Sequence, residues 1–208
     1  MAVTRVLVAR HAAAEYENDL LTDDGGSLTV AGRAQAMELG NNLDGEGIVH
    51  VWTSPMARAV QTAELAATAL VCGVTVREGL REFGVGAHVG QPLAPDPLGP
   101  TFLKWLDGDL DARIEGGESG TEIAARVAAV LEEVAAAHPG GTVLVLSHGG
   151  SMGVGLPAVA ANLEQDFPKD HPVPNCGVVE LEHDDDEGGW RAVRWVDTDV
   201  TDTPETIR

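Results

Sequence analysis

Lysine is almost missing from this 208-residue chain: Lys104 and Lys169 stand against eleven arginines, and 13 basic residues face 33 acidic ones for a formal net charge of −20. A surface so negative repels nucleic acid and anionic membranes, which excludes attachment to either by bulk electrostatics. Cysteine is scarce as well. Cys72 and Cys176 lie too far apart for a disulfide framework or a zinc cluster, and their apolar surroundings read as those of buried free thiols. No apolar run reaches membrane-spanning length and no charged-then-apolar leader opens the sequence, so the expectation is a cytoplasmic protein without membrane contact. Linker-like segments are missing too, and the length suits one domain over 1–208 with a polar tail from about residue 197.

What is present is an alternation of strand and helix signals. Val3–Ala9 reads as a strand and 29–43 as a helix, with Thr29 at the N-cap and Val30, Ala34, Met37 and Leu43 as its apolar positions. Ile48–Trp52 reads as a second strand. Ser54-Pro55, a capping serine before a first-turn proline, opens an alanine-rich helix to about Leu70. Val74–Val76 is a short third strand. From Leu80 to Gly120 periodicity weakens among glycines and prolines, apart from a short helix at Thr101–Leu106, and a stretch of this kind suits a lid.

Thr121–His138 carries Ile123, Val127, Val130, Leu131 and Val134 on one helical face. A strand at Thr142–Leu146 and a helix from Gly149 to about Pro157 follow. Cys176–Leu181 and Trp190–Val196 alternate around Asp184-Asp185-Asp186-Glu187 as a β-hairpin with a solvated turn, without the spacing of an EF-hand. The order implies an α/β fold, a three-layer α/β/α sandwich whose mostly parallel sheet carries an antiparallel edge hairpin.

Right-handed crossovers would set the strand ends bearing Arg10-His11, Thr53-Ser54 and Ser147-His148 along one rim, where open α/β sheets build ligand sites. Arg58 falls in the first turn of the helix after Ser54-Pro55, beside free backbone N–H groups and suited to a phosphate or carboxylate. Alone, Arg10, His11 and Arg58 read as ordinary surface residues, whereas His148 stands apart because Gly149-Gly150 leaves backbone N–H groups open to a ligand at a helix start. Two histidines and two arginines on one rim point to an anion. His50, His88, His138, His171 and His183 share no spacing for metal ligation, so no metal is expected. Glu118, just ahead of Thr121 and Glu122, suits helix capping.

Six landmarks in order carry a family resemblance: Arg10-His11; Leu28-Thr29 with Gly32 and Gln35-Ala36; Ser54-Pro55 with Arg58 and Gln61-Thr62-Ala63; Leu80-Arg81-Glu82; Gly117-Glu118-Ser119; and Ser147-His148-Gly149. From Val3 to about Val179 the chain resembles the histidine phosphatase superfamily, which includes cofactor-dependent phosphoglycerate mutases and many small phosphatases. The resemblance implies His11 as the nucleophile that takes the phosphoryl group and Glu82 as the proton donor. It implies a phosphate pocket of Arg10, Arg58 and His148, with no cofactor. The partner it implies is a small phosphorylated substrate, and the sequence leaves a homodimer open.

The chain departs from the family where Gly, an acidic residue and Thr or Ser usually follow the first histidine; here stand Ala12-Ala13-Ala14. After Glu82 it reads Phe83-Gly84-Val85-Gly86 in place of the customary Gly-x-Trp/Tyr-x-Gly. Core chemistry is retained and substrate recognition is not transferable. The stretch between Glu82 and the Thr142 strand is short for a mutase, so a metal-independent phosphomonoesterase is the expectation. A phosphoglycerate mutase is the enzymatic alternative, and a non-catalytic phospholigand-binding or protein-interaction domain the alternative of another class.

Overall fold

A computed structural model describes residues 3–184 and 189–201 of the chain. β1 (Thr4–Arg10) leads through two short strands, β2 (Ala14–Glu15) and β3 (Ser27–Leu28), into α1 (Val30–Asn42), β4 (Ile48–Thr53), α2 (Ala57–Leu70) and β5 (Gly73–Val76). A largely irregular stretch holds α3 (Gly99–Leu106). Then come α4 (Gly120–Ala137), β6 (Thr142–Ser147), α5 (Gly149–Val159), β7 (Val178–Asp184), β8 (Gly189–Trp195) and β9 (Thr198–Asp199). The main sheet has the order β5-β4-β6-β1-β7-β8-β9; its first four strands are parallel and its last three antiparallel. β2 and β3 pair separately.

Strand alternation divides the core between the two faces. Val6, Val8, Val143 and Val145 point to the face covered by Val127, Leu131 and Val134 of α4 and by Met152 and Leu156 of α5. Leu7, Ala9, Leu144 and Leu146 point to the opposite face, covered by Leu39 of α1 and by Ala63, Ala66 and Ala67 of α2. Central parallel strands buried on both sides need such continuous apolar runs. The fold is therefore the α/β architecture read from the sequence, with the antiparallel strands at one edge.

Five local expectations need correction. On α1, Val30 and Met37 are 89% and 53% exposed and Ala34 is exposed, while Gly32, Ala36, Leu39 and Gly40 are buried. Close approach is the reason: a Cβ on Gly32 would sit 1.9 Å from the Ala13 carbonyl oxygen, so small residues mark the contact face. Ser54 does not cap α2, which begins at Ala57 with Met56 at its N-cap, although Ser54 Oγ does accept the Met56 N–H. Glu118 does not cap α4 either. Ser119 and Glu122 form a reciprocal capping box there, and Glu118 instead pairs with Arg126 at 2.7 Å.

The stretch expected to be a tail from 197 is ordered at its start, since β9 pairs with β8 and Val200 is buried. Residues 202–208 and most of the acidic turn, 185–188, lie outside the described residues. Cys72 and Cys176 are free thiols, but partly rather than fully buried. Among the described residues no helix is long and apolar enough to cross a membrane.

Candidate active site

The sheet registers bring the three strand ends level. Arg10 pairs with Ser147 and Thr53 with Leu146, so His11, Ser54 and His148 leave adjacent parallel strands side by side. Two bonds extend the ladder past the strands: the His11 N–H donates to the Ser147 carbonyl and the Ser54 N–H to the Leu146 carbonyl, both at 3.0 Å. The imidazoles of His11 and His148 then lie 5.1 Å apart between ring centroids.

Hydrogen bonding defines the His11 tautomer. Its Nδ1 lies 2.8 Å from the Ala12 carbonyl oxygen, which can only accept, so Nδ1 carries the proton. Nε2 lies 3.2 Å from Nε of Arg58, which can only donate, so Nε2 holds a lone pair. Burial is the largest effect on this ring and, with the Arg58 and Arg10 charges, outweighs the Ala12 bond to hold its pKa down to about 4. His148 is fully buried, and desolvation followed by the Arg58 charge holds it well below the usual histidine range. Both rings are neutral at pH 7.

Arg58 sits in the first turn of α2 and is 4% exposed. Its Nη1 donates to the Gly25 carbonyl at 2.8 Å, and its guanidinium lies 5.6 Å from the Tyr16 ring centroid. Arg10 donates from Nη1 to the Val173 carbonyl at 2.9 Å. Neither guanidinium meets a carboxylate among the described residues. Arg10 Nε and His148 Nδ1 are buried without a hydrogen-bond partner, and orphaned polar atoms of this kind are costly unless something else satisfies them.

Glu82 approaches from the irregular segment. One of its oxygens accepts the Gly150 N–H at 2.9 Å and the other the Ser151 N–H at 2.7 Å, which seats the carboxylate on the first turn of α5. Gly150 is required for that approach: a Cβ there would lie 2.3 Å from the Phe83 ring and 2.7 Å from a Glu82 oxygen. Arg10, His11, Arg58 and Glu82 all line one cavity of about 380 Å³. His148, expected in the phosphate pocket, does not line this cavity, although its ring centroid lies 5.1 Å from that of His11. The five residues singled out from the sequence thus meet at one place.

Several supports were not assigned roles from the sequence. Ser54 Oγ lies 2.8 Å from His148 Nε2, so the serine orients the second imidazole. Thr62 accepts the Ala12 N–H, Gln35 the Ala13 N–H and Gln61 the Leu28 N–H, while Asn175 donates to the His11 carbonyl. These bonds fix the loop after His11 through its backbone, which explains how Ala12-Ala13-Ala14 can stand there without polar side chains. Gln35, Gln61 and Thr62 belonged to landmarks of the resemblance. Ser54 was read as a cap, and Asn175 carried no signal. The remaining histidines stay apart from the site: His50 stacks on His138 and His171 on Phe167.

Known proteins resemble this chain over most of its length. A probable phosphoglycerate mutase of Salmonella paratyphi B is 30% identical over 204 residues, covering 92% of this chain and 90% of that protein. Among solved structures, mycobacterial glucosyl-3-phosphoglycerate phosphatase superposes with a TM-score of 0.78 at 24% identity, covering 94% of this chain and 100% of that one. A phosphoserine phosphatase mutant from Entamoeba histolytica, in complex with phosphoserine, gives 0.74 at 20% identity, covering 93% and 97%. At those identities the structural likeness speaks for the fold alone. The description of the histidine phosphatase superfamily (branch 1) matches residues 6–198, and the chain belongs to that superfamily.

Proposed function

We propose that the protein is a phosphomonoesterase that works without a metal, through a phosphohistidine on His11. The observation that carries this is the His11 tautomer, with Nδ1–H on a carbonyl and the Nε2 lone pair beside a buried guanidinium in the cavity. Nε2 attacks phosphorus, the P–N bond forms, and the ester P–O bond breaks. The leaving oxygen takes a proton from the Glu82 carboxyl group. The imidazole becomes cationic as it is phosphorylated, and the Ala12 carbonyl on Nδ1–H stabilises that charge. Water then attacks phosphorus, gives its proton to the Glu82 carboxylate, and the P–N bond breaks to restore Nε2 and free inorganic phosphate.

Charge on the transferring group spreads over its outer oxygens. Arg10 and Arg58 supply planar donors there, and the orphaned Arg10 Nε is a further donor for the same group. Hydrolysis is favoured over mutase chemistry by the cavity's charges. Among its described lining residues the arginines are Arg10 and Arg58, both beside His11, so the second phosphate of a bisphosphate intermediate has no cation there. Phosphate monoesters are the substrates this reading requires, and one structural neighbour holds phosphoserine.

The test is rapid quenching with a ³²P-labelled ester in the presence of chelator. Label stable to base and labile to acid is expected on His11 and lost in His11→Ala. Primed 3-phosphoglycerate is expected to release phosphate faster than it forms 2-phosphoglycerate. Label on another residue, or a burst that requires added metal, would refute the proposal.

A further inference from the structure

The cavity beyond the two arginines is apolar. Phe83 and Phe102 stack with ring centroids 5.8 Å apart and 23° between planes, and Leu106 of α3, Pro168, Val173 and Trp195 complete the wall. Trp195 and Leu106 are almost fully buried, so they form a fixed floor rather than a surface that closes later. Trp195 is held by an Nε1–H bond to the His171 carbonyl at 2.8 Å, and Phe83 and Phe102 both pack against the buried Trp105. Gly153 keeps the floor open beneath Phe102. Among the described lining residues this side of the cavity holds no cation.

Resting on the hydrolytic reading above, we infer that the substrate is a phosphate monoester of an alcohol with a bulky apolar body and no second anionic group. Two arguments converge. A phosphate held at His11 projects its alcohol past Glu82 onto the aromatic wall, where an aryl or alkyl group removes apolar surface from water and a polyol does not. A carboxylate or second phosphate on that alcohol would instead be desolvated against phenyl and indole rings without a cation, inside a chain of net charge −20. Specificity of this kind is set as much by the missing cation as by the apolar contact.

Paired esters test both arguments with little change in leaving-group acidity. Phenyl phosphate is compared with 4-carboxyphenyl phosphate, and hexyl phosphate with ethyl phosphate, by kcat/KM at constant pH and ionic strength. The neutral aryl ester is expected to exceed its carboxylated partner by about tenfold or more, and hexyl to exceed ethyl by a similar factor. Phe102→Ala is expected to shrink the hexyl-to-ethyl ratio, and Phe102→Arg to shrink the phenyl-to-carboxyphenyl ratio. Equal rates within both wild-type pairs, or faster turnover of the carboxylated ester, would overturn the inference, and that outcome does not depend on either variant folding.

Titration calorimetry on His11→Ala separates this from failure of the hydrolytic reading. If no ester is hydrolysed but hexyl phosphate binds about tenfold more tightly than ethyl phosphate, the chemistry is wrong and the pocket assignment stands. If esters are hydrolysed without either preference, the chemistry stands and the pocket assignment fails.

Discussion

A histidine pKa near 4 in a folded protein has a cost that can be measured at acid pH. Unfolding returns His11 to an ordinary value of about 6.5. Because the folded value is the lower one, the unfolded chain binds more protons between those limits. The contribution to stability is therefore complete above pH 6.5, and it is lost as pH falls through the window toward 4. The whole loss for His11 is about 3 kcal/mol, of which about 2 kcal/mol is already gone at pH 5. Urea unfolding of the wild type and of His11→Ala at pH 7.5 and pH 5 isolates this part, since the surface carboxylates and His148 contribute in both. The wild type is expected to lose about 2 kcal/mol more than the variant over that interval. Imidazole ¹H–¹⁵N NMR titration provides the direct check, free of the substrate's own ionisation. It should show an Nδ1–H tautomer that stays neutral to about pH 5, where about 90% of the rings retain the Nε2 lone pair, against about 3% for an unperturbed ring. A His11 midpoint near 6.5, or equal acid loss in the two proteins, would refute the buried neutral nucleophile.

Three further perturbations probe the site's construction. Arg58→Lys keeps the charge but loses the fork that reaches Gly25 and His11, and kcat/KM is expected to fall by about 10²–10³ with the fold unchanged by circular dichroism. Ser54→Ala removes the 2.8 Å partner of His148, so kcat should drop by about tenfold while KM moves little, and Ser54→Thr should restore part of it. Gly150→Ala places a methyl group against Glu82 and Phe83; steady-state kinetics should show a larger loss for alkyl than for aryl phosphates, because the displaced group is the proposed proton donor.

Much of this site was legible before any coordinates, because its parts hang on strand ends. A run such as Thr142–Leu146 identifies a buried strand by its apolar continuity, and the residue that follows it is then placed on the rim whatever the details of packing. Periodicity failed on α1 for a physical reason. Hydrophobic patterning assumes that contact faces are large and apolar, whereas α1 meets the Ala13 backbone and α2 through Gly32, Ala36 and Gly40, leaving Val30 and Met37 in solvent. The cavity wall was illegible for another reason. Phe83, Phe102, Val173 and Trp195 come from four separate segments and carry no pattern until the fold assembles them. Asn175, which reaches the His11 carbonyl from 164 positions away, is the same case for a single hydrogen bond.

The excess of negative charge and the demand for an anion site are reconciled by how the arginines are used. Arg5, Arg77, Arg81, Arg113, Arg126 and Arg194 each meet a carboxylate, so their charge is neutralised where it stands. Arg10 and Arg58 are bonded to backbone carbonyls, which orient a guanidinium but carry no net charge to cancel it. Burial of Arg58 and partial burial of Arg10 limit how far water screens these two charges, and the pull is strongest around His11 Nε2. A surface made of acids can thus coexist with a phosphate site, provided that the site's cations are withheld from every acid on it. The same economy leaves no cation on the side of the cavity away from His11 among the described lining residues, which is why the proposed selectivity there is for apolar contact.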